Sequence, residues 1–424
     1  MINRKEVVLI VVVAVLGWAV AGPHRFFADS IPLARGHADF EKALSLMKEG
    51  NLPAAEQMLR SILKNDPSHV NSMLGLAQIS LDRAKLADAE RQVLKVLSAH
   101  SSSPEAHNMM GVVHLAQKKS GPAMLEFQRA IQLNPKYVTP RTYLAALYRA
   151  QDKLVLAENE YKVLIQMAPR WPAGHVGLAQ IEMSRGRFDR GIEILRGWAK
   201  ADPKSSEPGT VLGMVYLSHQ DYSKALLEFD AALKRDPRAA PALKGKGDAY
   251  SGLGQWDKAI QSYREAIKLS PKYLDAHLLL GSAYVRVGQV ENAISTYRSC
   301  IQIDPQFPGG YNNLAWLLAQ RPGNLNEALG FAKRATELEP RYADAHDTLG
   351  WIYFQKGEYT QAVTELKKAK ELNGGRPETL AHLGMSYYKL GRAKEALPEI
   401  QQALAMNANL PHAPMLRKIV EELK

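Results

Sequence analysis

Twelve histidines invite a chemical reading first, because neutral imidazoles ligate transition metals and move protons near neutral pH. Four of them, His107, His175, His277 and His346, recur at one register of a longer period, so their placement follows that period rather than a ligand set. No HExxH, CxxC or CxxCH occurs, and the single cysteine, Cys300, leaves neither a disulfide framework nor a multi-thiolate metal site. Gly245-Lys246-Gly247 and Gly252-Leu253-Gly254 have the composition of a phosphate-cradling loop. No strand precedes them, however, as a nucleotide fold requires. We therefore assign no catalytic, metal or cofactor-binding residue and expect no enzyme.

The period itself is written in prolines. Pro67, Pro135, Pro169, Pro203, Pro237, Pro271 and Pro305 stand at intervals of 34 or twice 34, and Pro340 follows after 35. The extra residue falls in the stretch Arg321 to Glu327, and the empty registers fall on Ser101, Gly374 and Ala408. With the proline counted as position 32, repeats begin at Gly36, Val70, Pro104, Val138, Pro172, Ser206, Ala240, Leu274, Pro308, Ala343 and Pro377. Position 8 is Gly or Ala in all eleven, and position 20 is Ala except at Gly191. Small residues at both places predict two helices in close approach. Glycine at position 15 (Gly50, Gly186, Gly254, Gly288, Gly357, Gly391) predicts a left-handed helix end. The residue before proline is steered out of the α region, which ends the second helix. Each repeat therefore reads as helix, tight turn, helix, turn, and a periodic chain of this kind stacks its repeats on one another.

These residues resemble the tetratricopeptide repeat, with its small residue at 8, Tyr at 11, Ala at 20, aromatic at 24, Ala at 27 and Pro at 32. The repeat 240–273 carries Gly247, Tyr250, Ala259, Tyr263, Ala266 and Pro271; the repeat 206–239 carries Gly213, Tyr216, Ala225, Phe229, Ala232 and Pro237. The resemblance implies an all-α fold: a right-handed superhelical solenoid of about eleven helix pairs over residues 36–410. Residues 411–424 form a final amphipathic helix, with Met415, Ile419, Val420 and Leu423 on one side, that caps the last apolar face. Two departures carry expectations. Gly191 and the bulky Trp198 at position 27 suggest an exchange of volumes, the indole filling what the glycine vacates. Pro208-Gly209 should delay a first helix and make residues 203–210 a hinge.

Ahead of the repeats, Arg4 and Lys5 precede an uncharged run from Val7 to Gly22, followed by Pro23. Residues 1–23 read either as an uncleaved membrane anchor or as a signal peptide with Ala19-Val20-Ala21 as its cleavage site; residues 24–35 are a linker. Both readings leave the N-terminus cytoplasmic and carry the repeats across the membrane, into a periplasm if the source is bacterial. Leader, repeats and final helix account for all 424 residues of this sequence.

Net charge is +11, yet it divides unevenly: residues 36–273 sum to +8 and residues 274–410 to zero. No basic run concentrates it, and with the export signal a nucleic-acid partner is not expected.

In proteins that the repeats resemble, positions 2, 5, 6, 9, 12 and 13 of each first helix line a concave groove. A carboxylate clamp there would need Lys at 5 and Asn at 9, then Asn at 6 of the next repeat; Lys244, Asp248 and Leu279 break that pattern. The last three repeats place large residues at groove positions instead: Asn312, Asn313 and Trp316; Asp347, Trp351 and Phe354; His382, Met385 and Tyr388. Trp316, Trp351 and Met385 share position 9 and are expected to form a ladder, with Phe354 and Tyr388 beside it. Aromatic planes bordered by amides and carboxylates suit an extended peptide or a sugar chain. The expected function is a scaffold for an envelope, secretion or exopolysaccharide assembly, tethered by its leader, with a polysaccharide guide as the alternative. The leader together with the stretch Tyr311 to Ala319 is similar to repeat proteins of bacterial exopolysaccharide and protein-sorting systems.

Overall fold

A computed structural model describes residues 38–321 and 323–423. The leader 1–23, the linker 24–35 and the first two residues of the first repeat lie outside the described residues. Among the described residues there are 23 helices and no strand. None of those helices is long and apolar enough to cross a membrane.

The chain divides into two units, one ending at Pro237 and one beginning at Arg238. The N-terminal unit holds six helix pairs: α1 (Ala38–Lys48) and α2 (Leu52–Asn65), α3 (Val70–Asp82) and α4 (Leu86–Ala99), α5 (Pro104–Ala116) and α6 (Ser120–Leu133), α7 (Val138–Ala150) and α8 (Leu154–Met167), α9 (Pro172–Ser184) and α10 (Phe188–Ala201), α11 (Glu207–Ser218) and α12 (Tyr222–Arg235). The C-terminal unit holds five: α13 (Ala240–Gly252) and α14 (Trp256–Leu269), α15 (Leu274–Arg286) and α16 (Val290–Ile303), α17 (Pro308–Ala319) and α18 (Leu325–Leu338), α19 (Ala343–Gln355) and α20 (Tyr359–Asn373), α21 (Pro377–Lys389) and α22 (Ala393–Met406). It ends with α23 (Ala413–Glu422).

Backbone constraints set these boundaries. Position 15 is left-handed at Gly50, Gly186, Gly254, Gly288, Gly357 and Gly391, with φ between 72° and 80°. Ala84, Lys118, Asp152 and Gln220 take the same conformation at that position without being glycine, with φ between 56° and 61°. Second helices end on an extended residue before proline, as at Asp66 (φ −131°), Asp236 (−136°) and Asp304 (−136°). Where the proline register is empty at Gly374, α20 runs one residue further and stops on a left-handed glycine, φ +70°. The insertion lengthens the α17–α18 turn, which spans Gln320 to Asn324. Pro208 delays α11 by only one residue, because it falls in the first turn, where a missing N–H breaks no helical bond.

The small residue at position 8 faces the side chain at position 24. A Cβ added to Gly111, Gly213, Gly247 or Gly281 would stand 2.5–2.6 Å from the ring of Phe127, Phe229, Tyr263 or Tyr297 respectively. Repeats with alanine at 8 carry a smaller residue at 24, as in Ala43 with Leu59, Ala77 with Val93, Ala179 with Leu195 and Ala315 with Ala332. Tyr161 is the exception, and its ring lies against Gly177 of the following repeat. The exchange expected between Gly191 and Trp198 takes another form. The space above Gly191 is filled by the Met183 side chain, 2.6 Å from an added Cβ. Trp198 instead stacks on His175, 6.1 Å away and 13° from parallel.

The position-4 histidines join consecutive repeats. His175 Nε2 lies 2.9 Å from the Pro169 carbonyl, His277 Nε2 2.9 Å from that of Pro271, and His346 Nε2 3.1 Å from that of Pro340. His107 makes the equivalent bond to Ser101, and the Tyr311 hydroxyl donates to the Pro305 carbonyl. Each satisfies a carbonyl at a helix-ending turn that has no helical partner.

Candidate functional site

Asn312 and Asn313 on α17 and Asp347 on α19 stand at positions 5 and 6 of their first helices, and Trp316 and Trp351 stand at position 9. With His382 from α21 they line one pocket of about 600 Å³. Gln320, Asp344 and Thr348 complete the walls from α17 and α19, and Arg376, Glu378, Thr379 and Ala381 do so near the start of α21. The far wall is Leu410, Pro411 and His412, the turn into α23.

The expected ladder is not a ladder. Trp316 is 39% exposed, Trp351 only 8% and Met385 1%. His382 stands between the two indoles, stacked on Trp351 at 4.3 Å and 6.4 Å from Trp316. Phe354 does not line the pocket; it backs the Trp351 indole, 5.1 Å away and 10° from parallel. Met385 is sealed in the core with Leu416 and Ile419 of α23. The Tyr388 hydroxyl is taken by Glu422 of α23, a bond that raises its pKa. The corrections at Met385 and Tyr388 have one cause. Helix α23 packs as the first helix of a twelfth repeat would, and covers these two groove positions of α21.

That same packing supplies residues the sequence reading missed. Counted on from Pro411, His412 stands at position 2, the register of Asp344 and Glu378, so the period itself placed it in the groove. Its ring is 5.2 Å from Trp351 and 6.3 Å from His382. Burial, and then the proximity of His382, lower its pKa below the ordinary histidine value. Arg376 reaches back to Asp344, Nη1 to Oδ1 at 2.7 Å.

Several side chains are already engaged. His382 Nδ1 is 3.2 Å from Asp347 Oδ2, and the Asn312 side-chain amide donates to Asn313 Oδ1 at 3.3 Å. Gln355, with its amide turned to satisfy both neighbours, accepts from Trp351 Nε1 and donates to the Ala319 carbonyl. Asn312 Oδ1 is different: it is buried and meets no donor. A buried acceptor without a partner costs roughly 1–3 kcal/mol.

The other residues singled out by type are structural. Cys300 is fully buried, and burial pushes its thiol up to about 11, far from a reactive thiolate. Lys244 Nζ pairs with Asp248 at 2.9 Å, and the Tyr263 hydroxyl donates to the same carboxylate. Burial raises the Asp248 pKa above the usual carboxylate range. Gly247 makes room for Tyr263, and Gly254 is the left-handed end of α13.

Tetratricopeptide-repeat family models match residues 46–112, 247–288 and 274–307. A model described as anaphase-promoting complex, cyclosome, subunit 3 matches residues 322–403. Among curated proteins, anaphase-promoting complex subunit 3 of Schizosaccharomyces pombe is 22% identical over 207 residues, 48% of this chain. The alignment spans 31% of that relative's length. Among solved structures, the anaphase-promoting complex hetero-tetramer Cut9–Hcn1 is 14% identical with a TM-score of 0.46, covering 92% of this chain and 96% of that one. A thermophilic repeat protein of Thermus thermophilus is 28% identical with a TM-score of 0.37, covering 44% and 98%. With its period of paired helices, the glycine and proline registers that build them and these family matches, the chain is a tetratricopeptide-repeat protein.

Proposed function

We propose that the chain is a non-enzymatic interaction scaffold whose C-terminal unit holds an extended segment of a protein partner. One observation carries the reading: the Trp316 indole, 39% exposed, stands in a pocket walled by Trp351, His382, Asp347 and Asn313. An exposed indole offers a contact face, and the carboxylates beside it offer acceptors for a backbone or side-chain N–H. The engagement of the position-4 histidines in carbonyl bonds and the burial of Cys300 support a role without catalysis.

The Arg4-Lys5 pair ahead of the run Val7 to Gly22 supports a membrane anchor, or else a cleaved export signal, with the repeats on the far side. There the scaffold would organise an envelope, secretion or exopolysaccharide assembly. Protease protection of intact cells tests the orientation: digestion of the repeats from the cytoplasmic side alone would refute it. A photo-crosslinking amino acid at Asn313 tests the groove. The expected result is a partner adduct that Trp316→Ala removes; an adduct indifferent to that change would refute the site. The exposed Trp316 face beside carboxylates also favours a second reading, a polysaccharide stacked on the indole, which a glycan array distinguishes.

A further inference from the structure

The pocket is chemically one-sided. Its lining carries three carboxylates, Asp344, Asp347 and Glu378, against the single guanidinium of Arg376, in a chain whose net charge is +11. That guanidinium is held by Asp344 at 2.7 Å. Asp347, with its side chain only 16% exposed, is partly withdrawn from water, so its charge is less screened than one at the surface. The Trp316 face adds the negative side of an aromatic quadrupole. What the pocket presents is therefore carboxylate acceptors, negative charge and a π face.

A carboxylate or phosphate ligand would meet like charges here, and a purely apolar side chain would strip water from Asp347 and Glu378 without offering a donor. A cationic group with several N–H donors answers all three features. Guanidinium and ammonium groups both stack on indoles, and both donate to carboxylates and amide oxygens.

We infer that the occupant is the basic side chain, arginine or lysine, of an extended protein segment, seated against Trp316 with its donors turned to the carboxylates of Asp347 and Glu378. This rests on the groove reading above and narrows it to one class of anchor. Groove occupancy then depends on ionic strength, because a charge pair at a partly open pocket is screened by salt.

A display library of random nonapeptides, selected on the full-length protein and counter-selected on the Trp316→Ala variant, tests the class. The expected result is enrichment of arginine or lysine at one position, and matched arginine and lysine peptides then decide between the two. Replacing that residue by citrulline, which keeps the shape and removes the charge, should weaken binding about tenfold or more. Asp347→Asn should do the same, and Glu378→Gln, at an exposed rim position, should weaken binding without touching the fold. Trp316-dependent peptides without a basic residue, or citrulline peptides that bind as well as arginine ones, would overturn the cationic class and leave the groove standing. Selection that yields no Trp316-dependent peptide would remove the groove along with it.

Discussion

The imidazole of His382 lies 4.3 Å from the indole of Trp351 and 24° from parallel, with Nδ1 3.2 Å from an oxygen of Asp347. One side chain thus joins the aromatic floor of the pocket to its acidic wall. Phe354 backs the floor from the other side. Trp351 is held within a stack, whereas Trp316 stands open at the mouth.

The two tryptophans should therefore separate stability from binding. Trp351→Ala removes a buried ring and should cost about 3–5 kcal/mol of unfolding free energy, read by denaturant melts. Trp316→Ala should leave the melt nearly unchanged and weaken peptide binding by about 2 kcal/mol or more. Equal effects of the two on stability would show that the indoles share one environment.

How far the sequence reached depends on what kind of constraint a residue answers. The prolines and the position-15 glycines act on the backbone, and the helix-ending turns fall where they stand. Asn312, Trp316, Asp347, Trp351 and His382 were legible because the register carries a groove position from one repeat to the next. Met385 and Tyr388 were misread because that register assumes open space beyond the last repeat, where α23 in fact packs. Continuing the count past Pro411 would have exposed the error and found His412. The exchange at Gly191 was illegible for another reason. Met183 is long and flexible, and nothing in its spacing says that it, rather than Trp198, fills the gap.

The size rule between positions 8 and 24 is open to a compensation test. In Gly213→Ala the new methyl carbon would lie 2.6 Å from the Phe229 ring, an overpacking that should cost about 1–3 kcal/mol. Adding Phe229→Leu recreates the pairing found naturally in Ala179 with Leu195 and should recover part of that loss. A double-mutant cycle measures it; additive costs would refute the rule.

Four repeats of the N-terminal unit keep a left-handed residue at position 15 without glycine. For Ala84 and Lys118 that conformation costs about 1–2 kcal/mol relative to the right-handed one, while glycine adopts it freely. Part of the gain returns as extra entropy of the unfolded chain, so Ala84→Gly and Lys118→Gly should each raise stability by up to about 1 kcal/mol. Asp152→Gly should gain less, because aspartate tolerates this region better. Thermal melts of the three variants check the order.

Acid should weaken the fold through His175. It is 5% exposed, and burial lowers its pKa below the ordinary 6.5. The folded state therefore favours the neutral ring. That stability is fully present above 6.5, declines as pH falls below it, and is gone once pH passes under the lowered value. In His175→Gln, unfolding free energy should show less decline across this window. The Gln variant losing as much stability with acid as the parent would exclude His175 as the source.

The turn from Pro203 into α11 differs from those that His175 and His277 hold. Position 4 of the repeat that follows is Gly209, which has no side chain to reach the Pro203 carbonyl. Arg235, from the end of α12, takes over the bond, Nε to oxygen at 3.0 Å. The remaining turn bond, from Ser205 N to Asp202 O, is 3.3 Å, against 2.8 Å at Trp171 and 2.9 Å at Tyr273. A turn secured by a partly exposed arginine from a neighbouring helix should open more readily than one secured by a buried histidine. Amide exchange across residues 203–210 should therefore run faster than across the equivalent turn that His175 holds. Arg235→Ala should accelerate it further, by roughly tenfold for a lost bond worth about 1.4 kcal/mol, and leave the turn at His175 unchanged. Uniform protection across residues 195–220, unmoved by the substitution, would rule out this turn as the hinge.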